Sequence, residues 1–434
     1  MTPLPGVWRR NLPKGWEWAK LNRVATLGTG HTPDRNRSEY WVDCDVPWVT
    51  AADLSSRSSA FEPLLDTAQK VSRIGLAHSA AVEHPAETVM FCRTASVGLF
   101  CITGRPMATT QAFVTWTPGP RLHPRYLLYV IAAMGPEFDR LAYGSTHLTI
   151  YMPDLESLRI PLPPLDVQRR IADFLDDQVG RIDSVERMRG GQLQTLTERT
   201  TSLVDQHLLS PDDPMVKLGN VASLQTGLAL NSNLTAEGGQ LRPYLRVANV
   251  KATGLDLTEI KEVSVSAEQI ARHTLRFGDV LMTEGGDRDK LGRGTLWRGE
   301  VPNALHQNHV FAIRPRDDRL DPYYLALLTQ SSTAREYFEA TGNQSTNLAS
   351  TNASIVLAFR VPLPDVETQR LRVKELEDAL SFQAKLRAAL EEGRSLLRAR
   401  KRSLITAAVI GQLDATAASA RATRAVMAGT GGAG

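Results

Sequence analysis

The clearest pattern of apolar and polar positions in this chain is a seven-residue repeat that appears in two long segments. An apolar stripe with this period on a long helix is typical of a coiled-coil seam, so the pattern predicts helices over residues 165–209 and 365–413. Each row has one polar member, Arg189 or Gln383, and a single polar seam residue can fix the register. The apolar seam positions are Leu175, Ile182, Leu196 and Leu203 in the first helix and Leu376, Leu390, Leu397 and Leu404 in the second.

The two rows also share one register, since adding 201 to each residue number of the first row gives the second. We therefore expect the helices to pack on each other as an antiparallel coiled coil; two unrelated amphipathic surface helices are the alternative. Forty helical residues span about 60 Å, so such a pair could hold two globular domains apart. Gly190 and Gly191 predict a kink or local fraying, because each glycine costs roughly 1 kcal/mol in a helix interior.

The rest of the chain repeats itself in the same order. "WAKLNRVATLGTG" from Trp18 is matched by "MVKLGNVASLQTG" from Met215, at an offset of 197. "HPRYLLYVI" is matched by "DPYYLALLT", and "RIPLPPLDVQR" by "RVPLPDVETQR", at offsets of 198 and 201. Three matches in order favour an internal, pseudo-two-fold duplication over chance similarity between two α/β domains.

Each copy reads as a mixed α/β (α+β) domain. "DVPWVTAADL", "YLRVANV", "FVTWTP" and "VFAIRP" predict short strands, and "HPRYLLYVIAAM" and "DPYYLALLTQ" predict helices with early prolines. The predicted fold is therefore two globular domains, residues 1–164 and 210–364, separated by the two long helices. Residues 414–434 are rich in small residues without apolar periodicity and predict a disordered tail.

Composition narrows the class of protein. The chain has 434 residues, 42% hydrophobic and 22% charged, which is typical of a folded soluble protein with more than one domain. The three cysteines contain no CxxC pair, and no apolar run is long enough to cross a membrane, so we expect a reduced, cytoplasmic location without a secretion signal. A net charge of +3 permits a polyanionic partner without requiring one.

Catalytic motifs are missing from the sequence. There is no phosphate-binding GxxxxGK[ST] loop and no GxGxxG after a strand. "HQNH" has two histidines at metal-binding spacing but no acidic or cysteine ligand beside it, and "TEGGDRDK" resembles a nuclease D-x-K only in the second copy. We therefore predict no catalytic residues, no metal and no cofactor on this chain.

The loops, by contrast, carry side chains suited to DNA. Arginine can bond guanine, asparagine and glutamine can bond adenine, and serine or threonine can bond phosphate. Ordinary turns are the alternative, since glycine, asparagine and serine also favour turns, but recurrence at matching places in both copies favours a binding surface. The candidate DNA-binding residues are Thr29, His31, Thr32, Arg35, Asn36, Arg37, Arg93, Gln111, Ser145, Thr146 and His147 in the first copy and Thr226, Asn231, Arg246, Asn249, Arg288, Lys290, Arg293, His306, Gln307, Asn343, Gln344 and Ser345 in the second; Gln111 is aligned with Gln307.

The chain resembles the specificity subunits of type I restriction-modification systems. The resemblance rests on "IPLPPLDVQRRIADFLDDQVGRID", "RSLLRARKRSLITAAVIGQLD", "MATTQAFV" and "GDVLMTEGGDRDKLGRGTLW", and covers nearly the whole chain except the tail. It implies target-recognition domains at 1–164 and 210–364, a central helical arm at 165–209 and a distal arm at 365–413. Each domain would read one half of a split, asymmetric site on double-stranded DNA.

The resemblance also implies partners. The paired helices would set the gap between the half-sites and dock two DNA methyltransferase subunits, and restriction/translocase subunits can join that complex. The chain would then be a non-catalytic recognition subunit, with the chemistry on its partners. A self-contained nuclease or methyltransferase with divergent motifs and a coiled-coil scaffold that never binds DNA are the alternatives.

Overall fold

The computed structural model describes residues 11–144, 147–229, 239–251, 254–286, 291–316, 318–344 and 349–413. The predicted disordered tail, 414–434, lies outside these residues. The chain divides into two compact units: one runs up to Gly190 and resumes at Glu391, and the other runs from Gly191 to Leu390. Each unit therefore contains one globular body, half of the first long helix and half of the second.

The first body precedes the first long helix. Its elements and that helix are, in chain order, β1 (Glu17–Lys20), β2 (Ala25–Thr29), β3 (Val46–Val49), α1 (Ala51–Ser55), β4 (Lys70–Val71), α2 (Arg73–Ala77), β5 (Val89–Cys92), β6 (Phe100–Ile102), β7 (Ala108–Thr109), β8 (Phe113–Pro118), α3 (Pro124–Ala133), α4 (Gly135–Leu141), α5 (Met152–Glu156), β9 (Arg159–Leu162) and α6 (Leu165–Leu208).

The second body lies between the long helices. Its elements and the second long helix are β10 (Met215–Lys217), β11 (Ala222–Thr226), β12 (Gln240–Leu245), β13 (Val250–Lys251), β14 (Gly254–Leu255), β15 (Lys261–Val265), α7 (Ala267–His273), β16 (Val280–Thr283), β17 (Gly285–Gly286), β18 (Gly294–Leu296), β19 (Leu305–His306), β20 (Val310–Pro315), α8 (Pro322–Leu328), α9 (Ser332–Thr341), β21 (Asn343–Gln344), β22 (Ala349–Ser350), α10 (Ala353–Ala358), β23 (Arg360–Pro362) and α11 (Val366–Val409).

The two bodies share one topology. A four-stranded antiparallel sheet has the order β2-β8-β5-β6 in the first body and β11-β20-β16-β18 in the second. A three-stranded sheet has the order β4-β3-β7 in the first and β15-β12-β19 in the second, with a parallel pair in each. The pairs β1-β9 and β10-β23 also correspond. The duplication predicted from sequence is confirmed.

One glycine in each body explains why "TG" recurs in the repeated opening line. A Cβ on Gly30 would lie 2.0 Å from the carbonyl oxygen of Thr109, and a Cβ on Gly227 would lie 2.1 Å from that of His306. No side chain fits such an approach of two backbones, so both copies need glycine where the strand ends.

Each body packs on the beginning of one long helix and the end of the other. In the first unit the Tyr126 hydroxyl donates to the carbonyl oxygens of Pro161, at 2.9 Å, and of Val409, at 3.2 Å. In the second unit the Tyr324 hydroxyl donates to the carbonyl oxygen of Leu208, at 3.2 Å. The first hydrophobic core accordingly contains residues from α3, α6 and the end of α11, and the second contains residues from α8, α11 and the end of α6.

The glutamine in the repeated PLP-x(4)-QR string fastens each long helix to its body. Gln168 accepts the His123 N–H at 2.8 Å and donates to the carbonyls of Arg121 and Pro163 at 2.9 and 2.8 Å. Gln369 makes the same three bonds, accepting the N–H of Asp321 at 2.9 Å. Both side chains are fully buried, so their amides hold the turns that start the helices.

The long helices confirm the predicted pairing inside each unit. In the first unit Lys401 of α11 bonds Asp183 at 2.6 Å and Glu186 at 3.0 Å, both on α6. In the second, Thr200 of α6 bonds Gln383 of α11. In the first unit Arg398 also bonds Glu186, so residue numbers rise along α6 as they fall along α11, and the packing is antiparallel. The alternative of two unrelated surface helices is therefore wrong.

The seam residues line this pairing. Leu175, Ile182, Leu376 and Gln383 are buried, and the other predicted seam leucines are half-buried. The local fraying expected at Gly190 and Gly191 is wrong, because α6 continues without a break from Leu165 to Leu208, whereas the kink stays a prediction. Among the described residues, no helix is both long and apolar enough to span a membrane.

Candidate nucleic-acid interface

Some of the candidate DNA-binding residues of each body lie where its four-stranded sheet ends. In the first body this end, called here the first rim, lies where β2 and β5 finish and β8 begins, since Thr29 pairs with Val114 and Cys92 with Phe113. In the second body the second rim lies where β11 and β16 finish and β20 begins. The ends of neighbouring strands thus bring loops from distant parts of each body together.

The first rim joins three sequence-predicted residues by hydrogen bonds. The Thr32 hydroxyl donates to the side-chain oxygen of Gln111 at 2.6 Å. The Arg93 guanidinium donates to the carbonyl oxygen of Gln111 at 3.3 Å and to that of Ile150 at 3.4 Å. These bonds orient a guanidinium and an exposed amide beside each other, which are groups suited to base edges.

Three more candidates adjoin the first rim. The Thr29 hydroxyl donates to the carbonyl oxygen of Phe113 at 2.8 Å, and the His31 N–H donates to that of Thr109 at 3.0 Å. His147 is exposed in the loop that returns beside Arg93. Ser145 and Thr146 lie outside the described residues.

Arg35, Asn36 and Arg37 lie farther along the loop that leaves β2 and contains His31 and Thr32. The Arg35 guanidinium lies over the rings of Trp41 and Trp48, 5.2 and 5.5 Å from their centroids. This cation–π arrangement restricts the side chain before any ligand binds. The Asn36 amide is tied locally to the Asp34 carboxylate at 3.1 Å, and Arg37 makes an exposed ion pair with Glu39 at 3.5 Å.

Fewer of the candidate residues of the second rim than of the first lie within the described part of the chain. Thr226 is exposed at the end of β11, and its carbonyl accepts from His273 at 3.2 Å. The half-buried Gln307 accepts the Val247 N–H at 3.3 Å. Asn343 is exposed on β21, where Gln344 follows it, and Arg293 is half-buried. Asn231, Arg288, Lys290 and Ser345 lie outside the described residues, as does the "DRDK" of the nuclease-like loop.

Arg246 lies between Leu245 and Val247, which both bond Gln307, and its guanidinium pairs with the Glu259 carboxylate at 3.1 Å. Its backbone N–H donates at 2.8 Å to the side-chain oxygen of Asn249, which is buried. The Asn249 amide donates in turn to the carbonyls of Asp256 and Glu259 at 2.8 and 2.9 Å. Every hydrogen-bonding group of this side chain is therefore used inside the body, so we reassign Asn249 from base contact to loop support.

His306 is the second candidate that the structure moves to an internal role. It is fully buried, its Nδ1 bonds the carbonyl oxygen of Val310 at 2.7 Å, and burial lowers its pKa to about 4. The ring is thus neutral near pH 7 and does not reach the surface. The second histidine of "HQNH", His309, bonds Glu284, and the part of the chain that is described contains no group of three metal-binding side chains.

The register of the strands corrects one alignment made from sequence. Gly30 meets the backbone of Thr109 and Thr110, whereas Gly227 meets that of His306 and Gln307. Gln307 is therefore the counterpart of Thr110, and Asn308 is the counterpart of Gln111. A one-residue shift in the alignment had paired two glutamines that occupy different places.

Sequence reasoning missed the pair Glu284 and His309. Their side chains bond at 2.5 Å on the second rim, with 33% and 55% of each exposed. The one available signal was the Glu in "TEGGDRDK", directly after a predicted strand. It was overlooked because its counterpart in the first copy is a residue of opposite charge.

Comparisons with known proteins agree with this architecture. Residues 13–189 match the family model described as type I restriction modification DNA specificity domain. The chain is 23% identical to the type I restriction enzyme EcoKI specificity subunit of Escherichia coli K12, over 93% of this chain and 90% of that protein. It is 21% identical to the StySPI specificity subunit of Salmonella potsdam, over 94% and 91%.

A solved structure shares the fold across most of the chain. It comes from work described as "Structural basis underlying complex assembly and conformational transition of the type I R-M system", with a TM-score of 0.59 and 19% identity. The match covers 93% of this chain and 100% of the other. The duplicated bodies, the paired long helices and these relatives lead to one conclusion: residues 13–189 match the type I restriction modification DNA specificity domain, and the chain is similar to type I specificity subunits over nearly its whole length.

Proposed function

We propose that this chain is the DNA-sequence specificity subunit of a type I restriction-modification complex and carries out no chemistry itself. The observation that supports this most directly is one backbone framework built twice, with different side chains at each rim. A framework kept constant while its loop ends diverge is what two readers of different sequences require.

In this proposal, residues 1–164 and 210–364 are the target-recognition domains, and residues 165–209 and 365–413 are the helical arms. Two identical domains related by two-fold symmetry would read a palindrome. Because the two rims carry different groups, each domain reads a different half of a bipartite, asymmetric site on double-stranded DNA. The rim residues named above remain candidates for the base contacts.

The arms have two roles in the proposal: they set the spacing between the half-sites and they dock two methyltransferase subunits. The seam leucines support the first role, because they are buried or half-buried in the helix pair. Exposed apolar side chains on α11, such as Leu371 and Phe382 in the second unit, support the second. Restriction/translocase subunits join the same complex, and the assembly works in the cytoplasm.

The modest net charge of +3 fits a subunit that shares DNA binding with partners. Proteins that bind DNA alone gain much of their affinity from neutralising phosphates. Here the methyltransferase subunits supply part of that positive charge, together with the AdoMet site.

A domain exchange tests the proposal. Residues 28–160 are replaced with the equivalent segment of another specificity subunit, the chimera is expressed with the methyltransferase, and the methylated positions of the genome are mapped. We expect one half of the methylated motif to change and the other half to stay. An unchanged motif would show that this domain does not read DNA, as the scaffold alternative requires.

The purified chain alone, incubated with DNA and either AdoMet or Mg²⁺, is the control. We expect neither methylation nor cleavage. Product formation by the chain alone would instead support the self-contained enzyme.

A further inference from the structure

We propose that Arg93 and Glu284 are the specificity-determining pair that makes the two half-sites differ: Arg93 reads a guanine, and Glu284 reads a base that presents an exocyclic amino group, cytosine first among them. This inference rests on the proposed function and assigns a base chemistry to one position in each domain.

The two residues occupy the same place in the two bodies. The Arg93 N–H donates to the Ala112 carbonyl at 2.8 Å, and the Glu284 N–H donates to the His309 carbonyl at 2.9 Å. The Arg93 carbonyl accepts the Ile150 N–H at 2.9 Å, as the Glu284 carbonyl accepts the N–H of Thr351 at 2.8 Å. The backbone around each residue is therefore held by the same two bonds.

The strand pairing on either side agrees with this equivalence. Val89 begins the strand that precedes Arg93 and pairs with Trp116. Val280 begins the strand that precedes Glu284 and pairs with Ile313. The side chains at the position carry opposite charges. A single framework thus presents a cation on one rim and an anion on the other.

The Arg93 guanidinium is oriented for a two-point contact. It has five N–H donors and no acceptor. One donor on each terminal nitrogen bonds a rim carbonyl, that of Ile150 or Gln111, which fixes the plane of the group. A second donor remains on each of these nitrogens. Guanine carries two adjacent acceptors, O6 and N7, on its major-groove edge, and arginine is their commonest partner.

The Glu284 carboxylate offers the opposite chemistry. An ionised carboxylate is only an acceptor, so it selects bases that donate. One oxygen bonds His309 at 2.5 Å, which fixes the group and leaves the other oxygen for a base. The exocyclic amino group of cytosine is the usual partner of a glutamate in the major groove. A guanine edge with its two acceptors would be rejected at this position.

The test uses the full chain expressed with its methyltransferase partner, with methylated positions mapped across a genome. The variants are Arg93→Gln and Glu284→Gln, each close in size to the original. We expect Arg93→Gln to lower the preference for one base pair about tenfold or more in one half of the motif. Glu284→Gln relaxes or changes one base pair in the other half, because an amide both donates and accepts. The base whose preference is lost in the Glu284→Gln variant shows whether Glu284 reads cytosine or adenine.

Matched controls remove the same charges elsewhere. Arg121→Gln changes an exposed arginine that follows the far end of β8, and Glu336→Gln changes an exposed glutamate on α9. Both should leave the motif unchanged. Co-purification with the methyltransferase reports folding; if Arg93→Gln fails to co-purify, Arg93→Lys, which keeps the charge but loses the forked geometry, decides the question.

Different results would contradict this inference and the proposed function. If both variants methylate the wild-type motif with wild-type preference at every base, this inference is overturned while the proposed function stands. If the wild-type complex methylates no bipartite motif at all, the proposed function itself is wrong.

Discussion

At the scale of single residues, the two bodies place chemically different pairs of side chains at one equivalent position. Thr88 and Thr117 share a hydrogen bond of 3.0 Å in the first body. At the same place in the second body Arg314 makes a forked ion pair with Asp279, at 2.6 and 2.7 Å, and Asp279 is fully buried. A buried charge depends on its partner far more than a hydroxyl does, because water no longer solvates it.

The first prediction concerns this ion pair. Arg314→Thr should lower the free energy of unfolding by about 3–5 kcal/mol, because it leaves a buried carboxylate without its partner. The double variant Asp279→Thr/Arg314→Thr rebuilds the hydroxyl pair of the first body and should recover most of the loss. Urea unfolding measures both, with the exposed Arg316→Thr as control. A double variant as unstable as the single one would contradict the prediction.

His306 makes part of the stability of the second unit dependent on pH. Burial lowers its pKa to about 4, whereas the unfolded residue titrates near 6.5. The unfolded state therefore binds more protons below pH 6.5, so this contribution to stability is complete above that pH and is lost as the pH falls towards 4. Its counterpart in the first body is Thr109, whose hydroxyl donates to the Val49 carbonyl at 2.9 Å.

We expect His306→Thr to remove this component. Between pH 6.5 and 5 the free energy of unfolding of the wild type should fall by roughly 2 kcal/mol more than that of the variant. Urea titrations of both proteins at the two pH values give the comparison. Equal losses in the two proteins would mean that the buried histidine does not set this dependence.

At the scale of elements, the long helices are the part of the fold that the sequence predicted best. Their bounds, Leu165–Leu208 and Val366–Val409, keep the offset of 201 found in the apolar rows. The polar contacts of the pair differ between the two units. In the first, Lys401 of α11 pairs with the Asp183 carboxylate of α6; in the second, Gln383 and Arg387 of α11 bond the hydroxyls of Thr200 and Thr197 on α6. This difference favours pairing of α6 with α11 over pairing of two identical helices.

A third prediction belongs to α6. A Cβ added to Gly190 or Gly191 would meet nothing within 4 Å, so each glycine weakens the helix without easing any packing. Gly190→Ala and Gly191→Ala should each stabilise the protein by about 1 kcal/mol, measured as a rise in the thermal midpoint.

Gly393→Ala in α11 is the matched contrast for these two variants. Its Cβ would lie 1.8 Å from the Arg189 guanidinium, which must move, so we expect a smaller gain. Equal effects at all three sites, or no gain at Gly190 and Gly191, would contradict this account of the helix.

At the scale of the whole molecule, the sequence predicted what is periodic or repeated and missed what depends on neighbours in space. The duplication was readable because strand ends and helix starts keep nearly constant offsets. The repeat of the string around Gln168 is visible in the sequence, but the three hydrogen bonds of its side chain are not, because the bonded carbonyls belong to turns. Asn249 and His306 were placed on the surface for their polarity, whereas their partners within the body allow them to be buried.

The correspondence of Arg93 and Glu284 is the clearest feature that the sequence alone does not reveal. The flanking strands keep an offset of 197, but loops of different length reduce it to 191 at this position, and the side chains are chemically opposite. Neither similarity nor spacing could align them. Only the hydrogen bonds between strands identify the two as one position.

The way each body packs on both long helices has a consequence for biosynthesis. The core of the first body includes Ile405, Ala408 and Val409, which are made after the whole second body. The second unit, from Gly191 to Leu390, has all its segments earlier. The first body is therefore completed after the second, although most of it is synthesised earlier, and part of its apolar core stays uncovered until the end of α11 has been made.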